Sequence, residues 1–201
     1  MEVFVELSQT CRLWRSLFKF GEVIMKTLET KRMLLRPWKT EDLEDFYEYA
    51  KNPNVGPNAG WEHHKDKEVS LKILQSFIEK DEVRAIVYKE NDKVIGSVGV
   101  HCDKKREGVQ AKMIGYVLSE TYWGKGLMNE AVKKIIEYLF AEEKLDIISC
   151  YHYLFNTQSK RVIEKCGFKY EGTLRLASKI YDGSVYDDFC YSITKEDYFN
   201  E

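Results

Sequence analysis

The part of the chain that most constrains its fold is a predicted strand, a glycine-containing loop and a long amphipathic helix in direct succession. Residues 110–119 are predicted as the strand, and the loop reads Tyr-Trp-Gly-Lys-Gly-Leu-Met at positions 122–128. From Met128 to about Glu143 apolar residues recur with helical spacing. A helix N-terminus leaves about four backbone N–H groups unpaired, and glycines before it let the main chain close around an anion. The loop is therefore either an anion site or a plain turn.

Two common phosphate-binding motifs do not fit this loop. No Lys-Ser or Lys-Thr pair follows the glycines at the spacing of a P-loop. The strands predicted before the loop are joined by short turns rather than by helices, unlike the strands of a Rossmann unit. If the loop binds an anion, it does so in another structural context.

The rest of the chain predicts one α/β domain with a mostly antiparallel sheet. A charged stretch at 103–108 predicts a solvated hairpin turn between two strands. The predicted strands cover 33–37, 84–89, 94–102, 110–119 and 146–153, with two more around Asp182-Gly183; the predicted helices begin at the N-cap Thr40, span about 65–80, follow the loop at 122–128, and run from Ser159 to Cys166.

The single domain is predicted to span residues 25–201, after an N-terminal appendage of residues 1–24. Charged residues interrupt the appendage and no small-residue cleavage site follows it, so a signal peptide is not expected. Met25 begins a segment typical of an ordinary domain start.

Composition limits the class of protein. Of 201 residues 44% are apolar, enough for a sizeable core, and the formal net charge is −2. This charge argues against a nucleic-acid-binding protein, which usually carries a basic stripe. No apolar run reaches the about 20 residues of a membrane span. Five scattered cysteines without a CxxC pair predict reduced thiols in a cytoplasmic protein and no metal site.

Two segments resemble motifs of the GCN5-related N-acetyltransferases. The sequence "IGYVLSETYWGKGLMNEAVKKII" at 114–136 resembles motif A, in which Q/R-x-x-G-x-G/A binds the pyrophosphate of acetyl-CoA, and "NTQSKRVIEKCGFKYEG" at 156–172 resembles a second family motif. The resemblance covers about residues 27–199 and is closer to the ribosomal-protein-alanine acetyltransferase-like branch. It implies the acyl-CoA N-acyltransferase fold, acetyl-CoA as cosubstrate and a primary amine as acceptor. The sequence leaves the choice between a monomer and a homodimer open.

The resemblance also implies which residues bind acetyl-CoA. Asn156 contacts the cofactor arm, and helix N-capping is a second role for it. Ser159 protonates the departing CoA thiolate, or else it caps the start of the helix or faces solvent. The main chain of Tyr116, Val117 and Leu118 pairs with the pantetheine arm; the pyrophosphate lies against the amides of Trp123, Gly124, Lys125, Gly126, Leu127 and Met128; and Lys160, Arg161 and Lys165 either reach the 3′-phosphate or are solvated.

Two methionines depart from the pattern of this branch. Met128 replaces a small residue where the helix passes close to the phosphates, and Met113 replaces a frequent glutamate that can act as a base. His101, at a strand end where the branch often has histidine, is the predicted substitute base. The loop "GPNAGWEHH" resembles the substrate-facing loop of this branch, so Trp61 is expected to wall the acceptor site and Glu62 or His64 to relay a proton; packing within the loop or exposure to solvent is the alternative for each. Tyr181 and Tyr186 either line the pocket or pack on the sheet.

The sequence thus predicts an acetyltransferase that works by direct attack in a ternary complex. The alternative is a CoA-binding module of the same fold whose catalytic activity is weakened, since both methionines lie at positions that matter for the reaction.

Overall fold

A computed structural model describes residues 25–106 and 108–200 of the chain, so the predicted appendage at 1–24 lies outside the described residues. The strands are β1 (Leu28–Glu29), β2 (Met33–Pro37), β3 (Val83–Tyr88), β4 (Lys93–Cys102), β5 (Ala111–Leu118), β6 (Ile147–Tyr153), β7 (Lys169–Lys179) and β8 (Val185–Thr194). The helices are α1 (Leu43–Ala50), α2 (Lys67–Lys80), α3 (Leu127–Ala141), α4 (Thr157–Lys165) and α5 (Lys195–Phe199).

All eight strands form one sheet in the order β1-β2-β3-β4-β5-β6-β8-β7. Every neighbouring pair is antiparallel except β5 and β6, which run parallel. A parallel pair needs a crossover connection, and α3 supplies it between β5 and β6. The predicted α/β fold with a mostly antiparallel sheet and a strand–loop–helix unit is confirmed.

Helices cover both faces of the sheet. On one, called the α3 face, Ile114 and Leu118 of β5 pack into a core with α3. On the other, called the α2 face, Val117 packs against a core that includes α1 and Leu74 of α2. Because side chains alternate along a strand, Met113, Gly115 and Val117 share the α2 face.

Two local predictions are wrong. Thr40 does not cap α1, because Thr40–Asp42 form a 3₁₀ turn in which the Asp42 carboxylate accepts the Lys39 N–H at 2.8 Å. The stretch after β4 is not a fully solvated turn either, because the side chain of Asp103 is buried. The sequence reasoning also missed two short elements, β1 and α5.

Candidate active site

The central feature of the sheet is a gap between β5 and β6. Their parallel ladder pairs only residues 111–113 of β5 with residues 147–149 of β6. Both strands continue, to Leu118 and Tyr153, without pairing further with each other. The main chain of β5 beyond Met113 therefore faces a gap that an extended ligand can enter and pair with.

The three residues assigned to the pantetheine arm lie in this part of β5. The Leu118 carbonyl already accepts a hydrogen bond from the Trp123 indole at 2.8 Å. That bond anchors the following loop to the end of the strand. Tyr116 and Val117 are therefore better placed than Leu118 to pair with a ligand in the gap.

The loop after β5 contains two glycines with a left-handed backbone. The φ angles of Gly124 and Gly126 are 73° and 72°, a region that residues with a Cβ rarely adopt. Gly126 is the N-cap of α3 and offers no side-chain acceptor to the first N–H groups of the helix. Those groups and the positive end of the helix dipole face the loop. The geometry fits a bound anion such as a diphosphate.

Met128 does not obstruct this loop. Only 5% of its surface is exposed, because its side chain enters the core between α3 and the sheet beside Leu127. Its backbone amide stays in the first turn of the helix. The larger side chain at this position is therefore compatible with an anion at the loop.

Helix α4 begins on the far side of the gap. The Asn156 side chain accepts the Ser159 N–H at 2.9 Å, which confirms the predicted N-cap. Its amide nitrogen donates to the Asn58 carbonyl at 2.8 Å. Asn156 thus fixes the start of α4 against the loop at 52–61.

Ser159 reaches back across the gap to Tyr116 of β5. The Tyr116 hydroxyl donates to the Ser159 carbonyl at 3.1 Å, and the two hydroxyl oxygens lie 3.0 Å apart. Burial raises the pKa of the Tyr116 phenol well above its ordinary value, so the phenol is protonated at neutral pH. Since Tyr116 can use its proton on the carbonyl, the Ser159 hydroxyl proton remains available to a ligand in the gap.

The three basic residues of α4 lie on its exposed side. Lys160 is 3.7 Å from the Glu164 carboxylate, an exposed pair of the kind that contributes little stability. Contact of Lys160, Arg161 and Lys165 with a 3′-phosphate stays a prediction.

His101 lies on the α2 face, directly opposite Met113 in the β4–β5 ladder. Its Nδ1 is 3.5 Å from the Glu82 carboxylate. Its ring covers Gly99, where an added Cβ would stand 2.3 Å from Nε2. Gly115, the cross-strand partner of Gly99, has no described atom within 4 Å of the position that a Cβ would take. The imidazole therefore borders open space at the gap.

The loop that was predicted to contact the acceptor packs on the α2 face. His64 is buried, shares a hydrogen bond of 2.7 Å with the Ser70 hydroxyl, and lies with its ring 5.1 Å from that of Trp61. Burial lowers the pKa of His64 to about 4, so its imidazole is neutral at pH 7. Exposed Glu62 pairs with Lys65 at 3.0 Å. Acceptor contact by Trp61, Glu62 and His64 stays a prediction.

Tyr181 and Tyr186 differ in their surroundings. Tyr186 packs edge-on against Phe155 with ring centroids 5.1 Å apart, whereas Tyr181 is exposed. Of the two predicted roles, packing fits Tyr186. Tyr181 lies at the surface of the turn between β7 and β8.

A polar cluster around Asp103 was missed by the sequence reasoning. Its buried carboxylate accepts hydrogen bonds from the hydroxyls of Ser149 and Tyr151, the latter at 3.0 Å, and lies 3.2 Å from Arg106. The Lys105 ammonium covers the Tyr151 ring at 3.9 Å. Polar Ser149 and Tyr151 alternate with apolar Ile148 and Cys150 along β6, and this alternation was the signal available. The cluster closes the α2 face beside the gap.

A second pair that was missed joins the first strands to the glycine loop. Arg32, in the turn between β1 and β2, contacts Glu130 of α3 at 2.7 Å. These residues are 98 positions apart in the chain, so no local pattern relates them.

These observations describe a cleft with two sides. The uncapped start of α3 and the Ser159 hydroxyl offer hydrogen bonds to an anionic, extended ligand. His101 beside open space offers a base to a second molecule on the α2 face. Across 25–106 and 108–200, no cluster of three His, Cys, Asp or Glu side chains arranged to hold a metal is present, and no helix there is long and apolar enough to cross a membrane.

Comparison with known proteins identifies relatives of this chain. The family model described as an acetyltransferase (GNAT) domain matches residues 32–169. The "Uncharacterized N-acetyltransferase p20" of Bacillus licheniformis is 31% identical over 179 residues, which are 87% of this chain and 99% of that protein.

Two solved structures share the fold. Ribosomal-protein-S5-alanine acetyltransferase from Vibrio fischeri gives a TM-score of 0.70 at 24% identity, and the match covers 86% of this chain and 98% of that one. The microcin C7 self-immunity acetyltransferase MccE, solved in complex with acetyl-CoA and AMP, gives 0.71 at 21% identity, covering 89% of this chain and 98% of its own.

The family predicted from the two motifs is confirmed, because the family model covers both the glycine loop and most of the second motif. This chain belongs to the GNAT family of acetyltransferases.

Proposed function

We propose that this chain transfers the acetyl group of acetyl-CoA to a primary amine by direct attack in a ternary complex. The observation that carries the proposal is the gap between β5 and β6, bordered by the uncapped start of α3, by Ser159 and by His101. Acetyl-CoA bound to MccE, a protein of the same fold, supports this choice of donor.

Acetyl-CoA, when bound, supplies a thioester carbonyl for the amine nitrogen to attack, so that a C–N bond forms as the C–S bond breaks. Only a neutral amine attacks. Deprotonation at pH 7 costs about 4–5 kcal/mol for an alkylamine with a pKa near 10.4, and about 1–1.5 kcal/mol for an α-amine with a pKa of about 7.7–8.0. The need for a base therefore depends strongly on the acceptor.

His101 is the residue we assign to remove the amine proton. It faces Met113, so its imidazole lies beside the position where a glutamate is frequent in this branch. The Glu82 carboxylate lies 3.5 Å from its Nδ1 and orients the ring. His64 is given no proton-transfer role, because its imidazole is buried and already hydrogen-bonded to Ser70.

Ser159 is the residue we assign to protonate the departing thiolate. Its N–H is held by Asn156 and its hydroxyl lies beside Tyr116, so the side chain is oriented before a ligand binds. Tyr116 is a positioning residue in this scheme, since it contacts Ser159 through its own hydroxyl.

The test is acetylation of a panel of acceptors by the purified chain. The panel contains peptides that begin with alanine or serine, a primary alkylamine and a polyamine, and the readouts are CoA release and the mass of each acceptor. We expect one acetylated amine for each CoA released. Tight CoA binding with no acetylation of any acceptor would instead favour the alternative, a catalytically weakened CoA-binding module.

A further inference from the structure

We infer that Arg32 and Glu130 form a clamp that holds the glycine loop in its anion-binding shape, and that Arg32 also neutralises Glu130 so that the diphosphate can approach. This inference rests on the proposed function, because the diphosphate belongs to acetyl-CoA. Arg32 is a positioning residue here, and no contact with the reacting atoms is assigned to it.

The main chain of Arg32 is fixed by the turn that carries it. Thr30 and Met33 close this turn, with the Thr30 N–H donating to the Met33 carbonyl at 2.9 Å. The Arg32 N–H donates to the Glu130 carboxylate at 2.9 Å, and the Arg32 carbonyl accepts the Lys89 N–H at 3.0 Å. The guanidinium therefore starts from a defined position at the N-terminal end of α3.

The side chain of Arg32 then connects the helix with the loop. Its Nε donates to Glu130 at 2.7 Å, and its Nη1 donates to the Lys125 carbonyl at 2.9 Å. Lys125 lies between the two left-handed glycines. A hydrogen bond to its carbonyl fixes the peptide that joins Lys125 to Gly126, and with it the direction of the following N–H groups. Preorganisation of this kind improves affinity because less order is lost on binding.

Glu130 would otherwise oppose the ligand. It lies in the first turn of α3, the end to which a diphosphate binds. Burial raises the pKa of Glu130, but the hydrogen bonds from Thr30 and Arg32 together outweigh it and lower that pKa below its ordinary value. Glu130 is therefore ionised at neutral pH. An unpaired carboxylate there would repel the incoming phosphates. The clamp thus has two effects, one on the shape of the loop and one on its charge.

The two effects give an unusual mutational signature. Arg32→Met removes the donor to the loop and leaves Glu130 charged, so we expect CoA to bind about 30-fold more weakly. Glu130→Gln alone keeps the Arg32 bond to the loop and should change affinity by less than about threefold. In the double variant Arg32→Met/Glu130→Gln the repulsion is gone, and we expect affinity to recover to within about tenfold of the wild type.

The experiment is calorimetric titration of CoA into the wild type and these three variants. Arg36→Met is the matched control, because Arg36 of β2 pairs at 2.7 Å with Asp42 of the following 3₁₀ turn rather than with Glu130 or the glycine loop. It should bind CoA like the wild type. Far-UV circular dichroism and thermal melting check that each variant is folded.

Two results would overturn the clamp. One is wild-type CoA affinity in a folded Arg32→Met variant, and the other is a double variant that binds no better than Arg32→Met. A wild-type chain that does not bind CoA at all would instead refute the proposed function, and the inference with it.

Discussion

The two sides of the cleft are built by different means. The side that we assign to the donor consists mainly of backbone groups in two short segments, the loop with Gly124 and Gly126 and the start of α4 at Asn156. The side that we assign to the acceptor consists of side chains from β4, β6 and two loops, among them His101 and Asp103. The first is local in sequence, and the second exists only once the sheet has formed.

This difference predicts how substitutions on each side affect function. A backbone cradle depends on dihedral angles and tolerates many side chains, as the buried side chain of Met128 illustrates. A side-chain surface changes with each substitution. We therefore expect variants of the first side to alter CoA binding and leaving-group departure, and variants of the second side to alter acceptor use.

The largest effect is expected from the acceptor side. His101→Gln should reduce turnover at pH 7 by about 100-fold, because the amine loses its base. The loss should shrink as pH rises through the pKa of the acceptor, since a larger fraction of the amine is then already neutral. Turnover measured against pH with a fixed acceptor checks this.

Met113→Glu provides the control for His101. Residue 113 faces residue 101 across the β4–β5 ladder, so a glutamate there can take over as base. We expect the double variant His101→Gln/Met113→Glu to turn over several-fold faster than His101→Gln. A loss that stays constant with pH, without rescue by Met113→Glu, would make His101 a structural residue.

A smaller effect is expected from Ser159→Ala on the donor side. Turnover should fall by about 30-fold while CoA affinity changes by less than about threefold, since the hydroxyl acts on the departing thiolate. Turnover and calorimetric CoA affinity are the measurements. Thr157→Ala, an exposed neighbour in the same helix, is the control and should match the wild type. Equal losses of turnover and affinity would make Ser159 a binding contact instead.

The glycine loop can be tested with Gly126→Val. For a residue with a Cβ, it costs about 1–2 kcal/mol to adopt the left-handed conformation that Gly126 has in the loop. The variant must meet this cost when it binds CoA, so we expect its affinity for CoA to fall by about tenfold. Gly183→Val is the matched control, because Gly183 has a φ of 88° in the turn between β7 and β8, which is not part of the glycine loop. It should lose stability but keep its CoA affinity. Titration of CoA decides, and equal weakening in both variants would contradict a local role of the loop.

The smallest effect on CoA binding is expected from Asp103→Ala, on the acceptor side. Removing the buried carboxylate leaves the hydroxyls of Ser149 and Tyr151 without their acceptor. It also removes one of the two carboxylates that pair with Arg106, which keeps its contact with Glu171. We expect a loss of about 2–4 kcal/mol in the free energy of unfolding, with CoA affinity unchanged. Urea denaturation and CoA titration measure both. Lys104→Ala changes an exposed neighbour and serves as control. If both variants lose the same free energy of unfolding, the buried contacts of Asp103 contribute no special stability.

The donor side could be predicted from the sequence to a large extent. Glycines before a helix, and an asparagine three residues before Ser159, are local patterns with local causes. Periodicity located the main strands and helices within a few residues. Even the side-chain direction of Met128 follows from its place in the apolar repeat of α3.

The acceptor side and the clamp could not be predicted in this way. Asp103 lies in a stretch of charges whose composition is typical of a solvated turn, and only β6, more than forty residues later, buries it. The same holds for Arg32 and Glu130, whose contact depends on the β1–β2 turn reaching the start of α3. Polar contacts between residues so far apart leave no periodic signal in one sequence.

Direct transfer in a ternary complex is the central claim, and a single turnover with labelled acetyl-CoA tests it most directly. The chain is kept in excess over acetyl-CoA, an amine acceptor from the panel is added, and label on protein and amine is followed over time. We expect the label to pass to the amine without appearing covalently on the protein at any time. Label bound to the protein before the product forms, and transferred from there to the amine, would contradict the claim.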